Sequence, residues 1–350
     1  MKNLSISSLE SLHDLKDLKL LRSELSKIKS GIENTGKGSA RIILNGFAEE
    51  INSEYILNEL TQIINTYTLE RSKYYLKRLI KSLTEAKTGS INDLNLNRWK
   101  EYDDIITDSL WILKKRDRSG EHKAAYWGNF IPQIPNQLLK RYTKKNEWVL
   151  DPFLGSGTTL IECKKLGRNG IGIELLENIA ANAQKVINQQ KPLDCNTVTE
   201  IINADSTKMD FKKELKSIGI KSVQFLIMHP PYWDIIKFSN NKNDLSNAET
   251  VGKFLKLFCI VVDKTFPLLD TGRYLALVIG DKYSKGEWIP LGFYTMQEVL
   301  RRGYKLKSVI VKNFDETKGK MNQKELWRYR ALAGGFYIFK HEYIFLFQKK

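Results

Sequence analysis

The chain of 350 residues is 42% hydrophobic and 27% charged, the balance of a globular protein, which excludes a disordered or fibrous chain. No apolar run reaches the ~18 residues that a membrane span needs, no signal-peptide core is present, and three separated cysteines exclude a disulfide framework and a cysteine zinc site, so we expect a cytoplasmic protein with no metal and no membrane partner. The net charge of +16 favours a polyanionic partner, and residues 301–350 contain 13 basic and four acidic side chains.

The first 120 residues are predicted to form a helical module. Apolar residues recur at three- and four-residue spacing in several segments, and no strand-like alternation of any length is present. A stretch rich in Gly, Ser and Asn at 31–39 ends the first helix. The predicted helices cover 8–30, 48–66, 70–86 and 97–114.

Residues 121–350 are predicted to form an α/β domain. Short apolar runs alternate with helical stretches, which predicts a doubly wound, mostly parallel seven-stranded sheet covered by helices on both faces. The strands are Glu147–Phe153, Gly170–Glu174, Glu200–Ala204, Val223–Met228, Arg273–Gly280, Lys305–Lys312 and Phe336–Gln348, with helices at 158–167, 176–190, 249–269 and 290–302. The last run ends the chain, and we expect it to form an antiparallel hairpin at the edge of the sheet.

A glycine-containing loop follows the first of these strands. The segment Asp151–Thr159 reads DPFLGSGTT and stands between an apolar strand and a helix. Gly155 and Gly157 permit a tight turn and let a ligand approach the backbone, and the helix that follows directs its free N–H groups at that ligand. The order of strand, loop and helix predicts a nucleotide-like ligand rather than a plain turn.

Two acidic residues follow the next two strands. Glu174 is placed to accept hydrogen bonds from ribose hydroxyls, and Asp205 is placed to meet an adenine amino group or to cap a helix. Thr159 occupies the third glycine position of the dinucleotide fingerprint, and no Walker lysine follows. The predicted ligand is therefore an adenosine without a pyrophosphate, which fits S-adenosylmethionine better than NAD or ATP.

The fourth strand runs into His229-Pro230-Pro231-Tyr232-Trp233. Prolines fix φ, donate no N–H group and leave their carbonyl oxygens as acceptors at the carboxyl edge of the sheet, where ligands of such folds bind. The aromatic residues beside them offer a stacking face for a planar base. Together with the glycine loop, this turn indicates methylation of an amine.

These motifs resemble those of the S-adenosylmethionine-dependent DNA methyltransferases that modify an exocyclic amine, adenine N6 or cytosine N4. Asp151–Thr159 resembles their cofactor motif, D-P-F-x-G-x-G-T-T, and His229–Tyr232 resembles their catalytic motif, [DNS]-P-P-[YFW]. Tyr126–Pro132 resembles the segment that contacts the methionine carboxylate of the cofactor. The resemblance spans about residues 122–350, and the cofactor motif comes first, as in some groups of the family.

The resemblance implies a Rossmann-like methyltransferase domain that transfers a methyl group from S-adenosylmethionine, directly and in line, to a flipped base of double-stranded DNA. It implies a catalytic turn made of His229, Pro230, Pro231 and Tyr232. It implies cofactor contacts from Asn129, Phe130, Asp151, Phe153, Gly155, Gly157, Thr158, Thr159, Glu174 and Asp205. A cognate restriction system and a second copy of the chain are further partners to consider.

His229 departs from the family pattern, which has Asp, Asn or Ser at this position. That side chain and a backbone carbonyl such as that of Pro230 accept hydrogen bonds from the target amine. A neutral imidazole can accept such a bond and an imidazolium cannot, so turnover is expected to fall as the pH drops through an unperturbed His229 titration near ~6.5. Alternatively, His229 packs against Tyr232 and orients it. Trp233 weakly favours cytosine N4 as the target, but the sequence does not decide between adenine N6 and cytosine N4.

Several residues are expected to hold the DNA. Tyr232 would stack on the flipped base, and the polar segment 237–249 is either a loop over that base or an ordinary connection. Basic and aromatic residues interleave over 312–330, which favours contacts with phosphates and bases. The candidates for base or DNA contact are Trp233, Lys237, Lys318, Lys320, Lys324, Arg328 and Arg330. Asp281-Lys282 is expected to line the cleft, and His341–Tyr343 to be structural.

Other readings of the sequence remain open. Residues 1–120 are expected to grip the duplex or to form a dimer. An RNA amine methyltransferase shares the fold and a Pro-Pro-Tyr motif, and a catalytically inactive DNA-binding module would explain His229. A nicotinamide-dependent oxidoreductase lacks its third glycine. Carbon-5 methylation is set aside, because it needs a cysteine nucleophile preceded by proline, whereas Cys163, Cys195 and Cys259 follow Glu, Asp and Phe.

Overall fold

The computed structural model describes residues 4–34, 39–44, 47–122, 128–193, 195–313 and 324–350. The chain divides into two compact units, residues 1–105 and 106–350. The division comes before residue 120, the boundary predicted from the sequence, because Leu110–Trp111 pairs with a strand of the second unit. Within the described ranges, no helix is both long enough and apolar enough to cross a membrane.

The first unit combines helices with a small sheet. Its elements are β1 (Leu4–Ser5), α1 (Ile6–His13), α2 (Leu18–Glu33), β2 (Ser39–Leu44), β3 (Phe47–Asn52), α3 (Ser53–Ile64), α4 (Leu69–Thr84) and a 3-10 helix (Leu96–Glu101). Strand β2 pairs parallel with β1 and antiparallel with β3. Leu21, Leu60 and Leu76 are fully buried in the core of this unit. They lie on the apolar helix faces that the sequence pattern predicts.

Three predictions for this unit were wrong in detail. The single helix over 8–30 is two helices, because the Asp17 side chain accepts the N–H of Leu20 at 2.8 Å and caps the start of α2. The helix expected from residue 48 begins at Ser53, because 47–52 forms β3, so strands do occur here. The segment 97–114 contains a 3-10 helix and strand β4 (Leu110–Trp111) rather than an α-helix.

The second unit is built on one large sheet. Its principal strands are β5 (Trp148–Asp151), β6 (Asn169–Glu174), β7 (Thr199–Asn203), β8 (Val223–Met228), β9 (Leu269–Ile279), β12 (Tyr304–Asn313) and β13 (His341–Lys349), and a separate hairpin is formed by β10 (Lys282–Ser284) and β11 (Glu287–Ile289). The helices are α5 (Gln133–Tyr142), α6 (Thr158–Leu166), α7 (Glu177–Gln189), α8 (Phe211–Ser217), α9 (Val251–Thr265), α10 (Leu291–Arg301) and α11 (Lys324–Gly334), with 3-10 turns at Trp233–Ile235, Leu245–Asn247 and Phe266–Leu268.

The sheet order is β4-β12-β13-β9-β8-β5-β6-β7, and β13 alone among these strands is antiparallel to its neighbours. The α/β class, the mostly parallel seven-stranded sheet and its C-terminal antiparallel pair are thus confirmed, and β4 adds a short eighth strand. The final strand lies inside the sheet rather than at its edge. The reason is visible in its burial, since residues 342–347 are buried on both faces.

The strand order places two connecting loops side by side. Strand β5 pairs with β6 on one side and with β8 on the other, so the chain direction along the sheet reverses between β5 and β8. In open α/β sheets, ligands bind outside the carboxyl ends of the strands at such a switch point. The loop after β5 and the turn after β8 begin at this place.

Candidate functional site

The loop after β5 is anchored by a buried carboxyl group. Asp151 is fully buried, and its two oxygens accept the hydroxyl of Thr159 at 2.6 Å and the N–H of Phe153 at 3.0 Å. Burial raises the pKa of Asp151 to about 6, and the two hydrogen bonds oppose that rise. Asp151 and Thr159 therefore stabilise the loop through buried hydrogen bonds and do not line the cavity described below.

Gly157 ends the loop and caps α6 in a left-handed conformation, with φ 88°. A Cβ at this position would lie 2.7 Å from Cδ1 of Ile187. Gly157, Thr158 and Thr159 thus shape the entry into the helix, while Phe153 and Gly155 line the cavity. The sequence placed all of them in one cofactor-binding set, and the structure divides that set into lining and supporting residues.

Glu174 connects the loop to the next strand. One of its oxygens accepts the N–H of Gly155 and the other that of Leu176, both at 2.9 Å. Burial raises the pKa of Glu174 to about 7 despite these bonds. Glu174 lines the cavity, so its carboxyl group is positioned to receive hydroxyl groups of a ligand.

Two buried polar atoms near this loop lack a hydrogen bond to any described residue. Oδ2 of Asp205 accepts none and has the Lys208 ammonium 3.5 Å away, whereas Oδ1 accepts two from Thr207. Nδ2 of Asn129 donates none. Asp205 thus keeps one acceptor oxygen without a hydrogen bond and Asn129 keeps one donor, and both residues line the same cavity, which suits a ligand that carries an amino group and a carboxylate. Such a ligand matches S-adenosylmethionine.

Arg116 is a lining residue that the sequence analysis missed. Its guanidinium donates to the carbonyl oxygens of Asn129 and Phe130 at 3.4 and 3.1 Å, and its Nε is buried without a partner among the described residues. Burial lowers the pKa of Arg116, which still leaves a cation at the cavity wall. No motif contains Arg116, so a sequence pattern could not have found it.

The turn after β8 is held by charged residues from the last two strands of the sheet. The Tyr232 hydroxyl donates to Oε2 of Glu342 at 2.6 Å, and Nε2 of His229 lies 3.1 Å from the same hydroxyl. Oε1 of Glu342 forms a buried ion pair with Lys312 at 3.1 Å. The segment 341–343, which we expected to be only structural, thus supplies a partner of the catalytic turn.

The environment of His229 changes the expected pH dependence. The pKa of His229 is lowered to about 4, mainly by burial; the charge of Glu342 opposes this shift and the Lys312 cation adds to it. The imidazole is therefore neutral throughout the range above about pH 5. The titration of His229, which an unperturbed imidazole would show near ~6.5, therefore moves down to about 4, and the predicted loss of turnover moves with it.

One cavity of about 1300 Å³ brings the two motifs together. Its wall contains Phe153, Gly155, Glu174 and Asp205 together with the turn His229–Tyr232. The predicted site residues on its wall are Asn129, Phe130, Phe153, Gly155, Glu174, Asp205, His229, Pro230, Pro231 and Tyr232, and Asp281 and Lys282 also line it as expected. Aromatic residues that no motif marks complete it, namely Phe238, Tyr283, Trp327, Phe336, Tyr337 and Phe339.

The remaining predicted DNA contacts lie elsewhere. The Trp233 indole donates to the carbonyl oxygen of Ala248 at 2.7 Å and does not line the cavity, so it forms no second wall. Lys237 is exposed on the segment beside it. Arg328 and Arg330 are exposed on α11, with Arg330 over the Trp327 ring at 5.3 Å. Lys318, Lys320, Tyr126 and Trp127 lie outside the described residues, as does the side chain of Lys324.

Parts of the chain are similar to known DNA methyltransferases. Residues 44–185 match the family model described as DNA methylase, a span that includes the glycine loop. The chain is 31% identical over 154 residues to the type II methyltransferase M.MjaII of Methanocaldococcus jannaschii, covering 40% of this chain and 27% of that protein. It is 34% identical over 107 residues to M.MthZI of Methanothermobacter thermautotrophicus, covering 31% and 29%, and 35% identical over 98 residues to M.HinfI of Haemophilus influenzae, covering 28% and 27%. The matched stretches thus span under a third of these relatives.

Among solved structures, TrmN from Thermus thermophilus aligns with 65% of this chain and 51% of its own, with 18% identity and a TM-score of 0.42. An S-adenosylmethionine-dependent methyltransferase from Methanosarcina mazei aligns with 63% of this chain and 98% of its own, with 16% identity and a TM-score of 0.39. The sequence matches support the DNA amino-methyltransferase family, which is the family that the two motifs resemble.

Proposed function

We propose that this protein methylates DNA by transferring a methyl group from S-adenosylmethionine to the exocyclic amine of a flipped base, adenine N6 or cytosine N4. The observation that carries the proposal is the shared cavity, whose wall contains both Gly155 of the cofactor loop and His229–Tyr232 of the catalytic turn. The cofactor, when bound, supplies an electrophilic methyl group. The two motifs therefore face the same space, as a direct in-line transfer requires.

The proposed cofactor contacts use polar groups on the cavity wall that can still form a hydrogen bond. Asp205 would accept the adenine amino group through Oδ2, and Glu174 would accept the ribose hydroxyls beside its two backbone donors. Asn129 would donate to the methionine carboxylate through Nδ2. Phe153 and Gly155 form the wall between these ends.

The target amine would be held by acceptors at the catalytic turn. Neutral His229 can accept one hydrogen bond, and the Pro230 carbonyl can accept another. A base inside a duplex cannot reach this turn, so we infer that it is flipped out of the helix. The cavity is larger than the few hundred Å³ typical of a single small ligand, which supports space for a base beside the cofactor.

Duplex DNA is the proposed partner. Exposed Lys237, Arg328 and Arg330 lie on segments beside the cavity wall, and helix α4 of the first unit adds a second basic surface. Over α4 the side chains include five cations and Glu70 as the one anion, although the first unit as a whole is close to neutral. Such segregated positive charge suits phosphate contacts. Residues 1–120 would thus grip DNA, with dimerisation as the competing use and a cognate restriction system as a further partner.

Expression of the protein in a methylation-free bacterial host tests this proposal, since we place the protein in the cytoplasm, where it would meet the host DNA. Genomic DNA is then digested to nucleosides and analysed by mass spectrometry. We expect N6-methyladenine or N4-methylcytosine, and neither in a host that expresses the His229→Ala variant. Unmodified DNA together with newly methylated tRNA or rRNA would instead support an RNA amine methyltransferase.

A further inference from the structure

We propose that Tyr232, Glu342 and Lys312 are positioning residues that hold the proton of His229 on Nε2, so that Nδ1 is the acceptor for the target amine. The proposal rests on the proposed function, because it names the atom of His229 that receives the amine. It assigns a role to two residues, Glu342 and Lys312, that belong to neither motif. It also explains how a histidine can stand where the family has Asp, Asn or Ser.

The direction of each hydrogen bond follows from a buried ion pair. Lys312 and Glu342 are opposite each other on β12 and β13, and their side chains are 5% and 4% exposed. The adjacent ammonium group, at 3.1 Å, keeps Glu342 a carboxylate, and a carboxylate can only accept hydrogen bonds. The Tyr232 hydroxyl, 2.6 Å from Oε2, must therefore be the donor.

The proton of Tyr232 is thus committed to Glu342. Burial and the Glu342 charge also raise the pKa of Tyr232 well above its ordinary value, so the hydroxyl stays protonated. Its oxygen can then only accept from His229, whose Nε2 lies 3.1 Å away. A neutral imidazole carries one proton, and this geometry requires that proton on Nε2.

Nδ1 is the ring nitrogen that remains. Among the residues that the structure describes, none donates a hydrogen bond to it, and His229 lines the cavity. Phe130 packs edge-on against the His229 ring, with centroids 4.8 Å apart, and restricts rotation of the imidazole. The charged and titratable groups that face His229 are Tyr232, Glu342 and Lys312. Tyr232, Glu342 and Lys312 thus leave the lone pair of Nδ1 as the acceptor. An Asn side chain at this position would present its carbonyl oxygen as an acceptor without such partners.

The tautomer can be observed directly. The chain has four histidines, so a protein labelled with 15N-histidine gives a simple spectrum in which protonated and unprotonated ring nitrogens are distinguished. The His229 signals are assigned by their loss in His229→Asn. At pH 7 we expect the His229 proton on Nε2, and in Tyr232→Phe we expect a mixture of both tautomers. A proton on Nδ1 in the unchanged protein would overturn the proposal.

A double-mutant cycle separates positioning from packing. Tyr232→Phe keeps the aromatic ring and removes the hydroxyl, and we expect about a tenfold fall in kcat with an unchanged KM for S-adenosylmethionine. Asn has no tautomers, so in a His229→Asn background the same change should lower kcat less than about twofold. Tyr304→Phe is the matched control, because the Tyr304 hydroxyl is buried without a partner in the described part of the chain, and kcat should not change.

The outcomes distinguish this inference from the proposed function. An equal fall in kcat in both backgrounds would show that the hydroxyl acts by packing, and it would overturn the inference while methyl transfer stands. If the unchanged protein binds S-adenosylmethionine but methylates no DNA, the proposed function fails. In that case the nitrogen spectrum still decides where His229 carries its proton.

Discussion

At the scale of single residues, we predict that Glu174 makes cofactor binding depend on pH. Its pKa is raised to about 7 by burial, so near neutral pH the carboxyl group is partly protonated. S-adenosylmethionine carries a net positive charge, and its binding favours the ionised form and releases a proton. We predict that affinity rises up to about tenfold from pH 6 to pH 8. Titration calorimetry in two buffers with different ionisation enthalpies measures both affinity and proton release.

The matched variant for this prediction is Glu174→Gln, which removes the titrating group and keeps one acceptor oxygen. It should bind the cofactor more weakly at pH 8 and should lose the part of the pH dependence that belongs to Glu174. The prediction is wrong if the unchanged protein and the variant show the same slope of affinity against pH.

Gly280 controls the position of Tyr232. A Cβ at residue 280 would lie 2.8 Å from Cε2 of the Tyr232 ring, closer than real contacts allow, so we expect the ring to shift and its hydrogen bond to Glu342 to weaken. We predict that Gly280→Ala lowers kcat about tenfold or more. Gly252→Ala is the control, because its nearest atom beyond its chain neighbours is 3.9 Å away. Steady-state kinetics that show equal kcat for both variants would contradict this account.

The sequence predicted the site residues that follow strand ends, and it missed those brought in by tertiary structure. Gly155, Glu174 and the His229–Tyr232 turn stand in local patterns with a local physical meaning. Glu342 lies 110 residues after Tyr232, and only the insertion of β13 beside β9 brings the two together. The depressed pKa of His229 likewise depends on burial, which the sequence did not reveal.

At the scale of elements, α4 tests the role of the first unit. Lys73 and Lys77 lie one helical turn apart on a helix with an excess of positive charge. We predict that Lys73→Glu with Lys77→Glu weakens DNA binding and reduces the slope of log affinity against log salt by about 1 to 2. Fluorescence anisotropy with a duplex at several salt concentrations measures both quantities.

A matched double reversal on α2, Lys19→Glu with Lys27→Glu, changes the net charge by the same amount. It should affect DNA binding much less, because α2 also carries Glu24 and Glu33. Equal loss of affinity in both variants would mean that net charge alone, and not the α4 surface, attracts the DNA.

The elements of the second unit were predicted better than those of the first. Strands such as Asn169–Glu174 and Val223–Met228 are buried runs bounded by turns, and this pattern indicates parallel strands. In the first unit, β2 and β3 lie between helices in a segment without clear alternation, so periodicity did not reveal them. The α5 and α8 helices were missed because each is short and lacks a long apolar repeat.

At the scale of the whole molecule, each of the two units has its own hydrophobic core, so we expect cofactor binding to stabilise the second unit alone. At 100 times its dissociation constant, S-adenosylmethionine should stabilise the folded second unit by about 2.7 kcal/mol. We predict that hydrogen exchange slows at 150–157, 173–176 and 204–207, with no change within 4–34 and 53–105. Cofactor-dependent protection of the first unit would contradict the assignment of every cofactor contact to the second.

The central claim is that the cavity between the glycine loop and the Pro-Pro turn transfers a methyl group to an amine of DNA. The most direct measurement incubates purified protein with S-adenosylmethionine labelled in its methyl group, duplex DNA or RNA, and then identifies the labelled nucleoside. The account predicts label in N6-methyladenine or N4-methylcytosine from the duplex, and its loss in His229→Ala. Label in RNA alone, label in 5-methylcytosine, or cofactor binding with no label in DNA would contradict it.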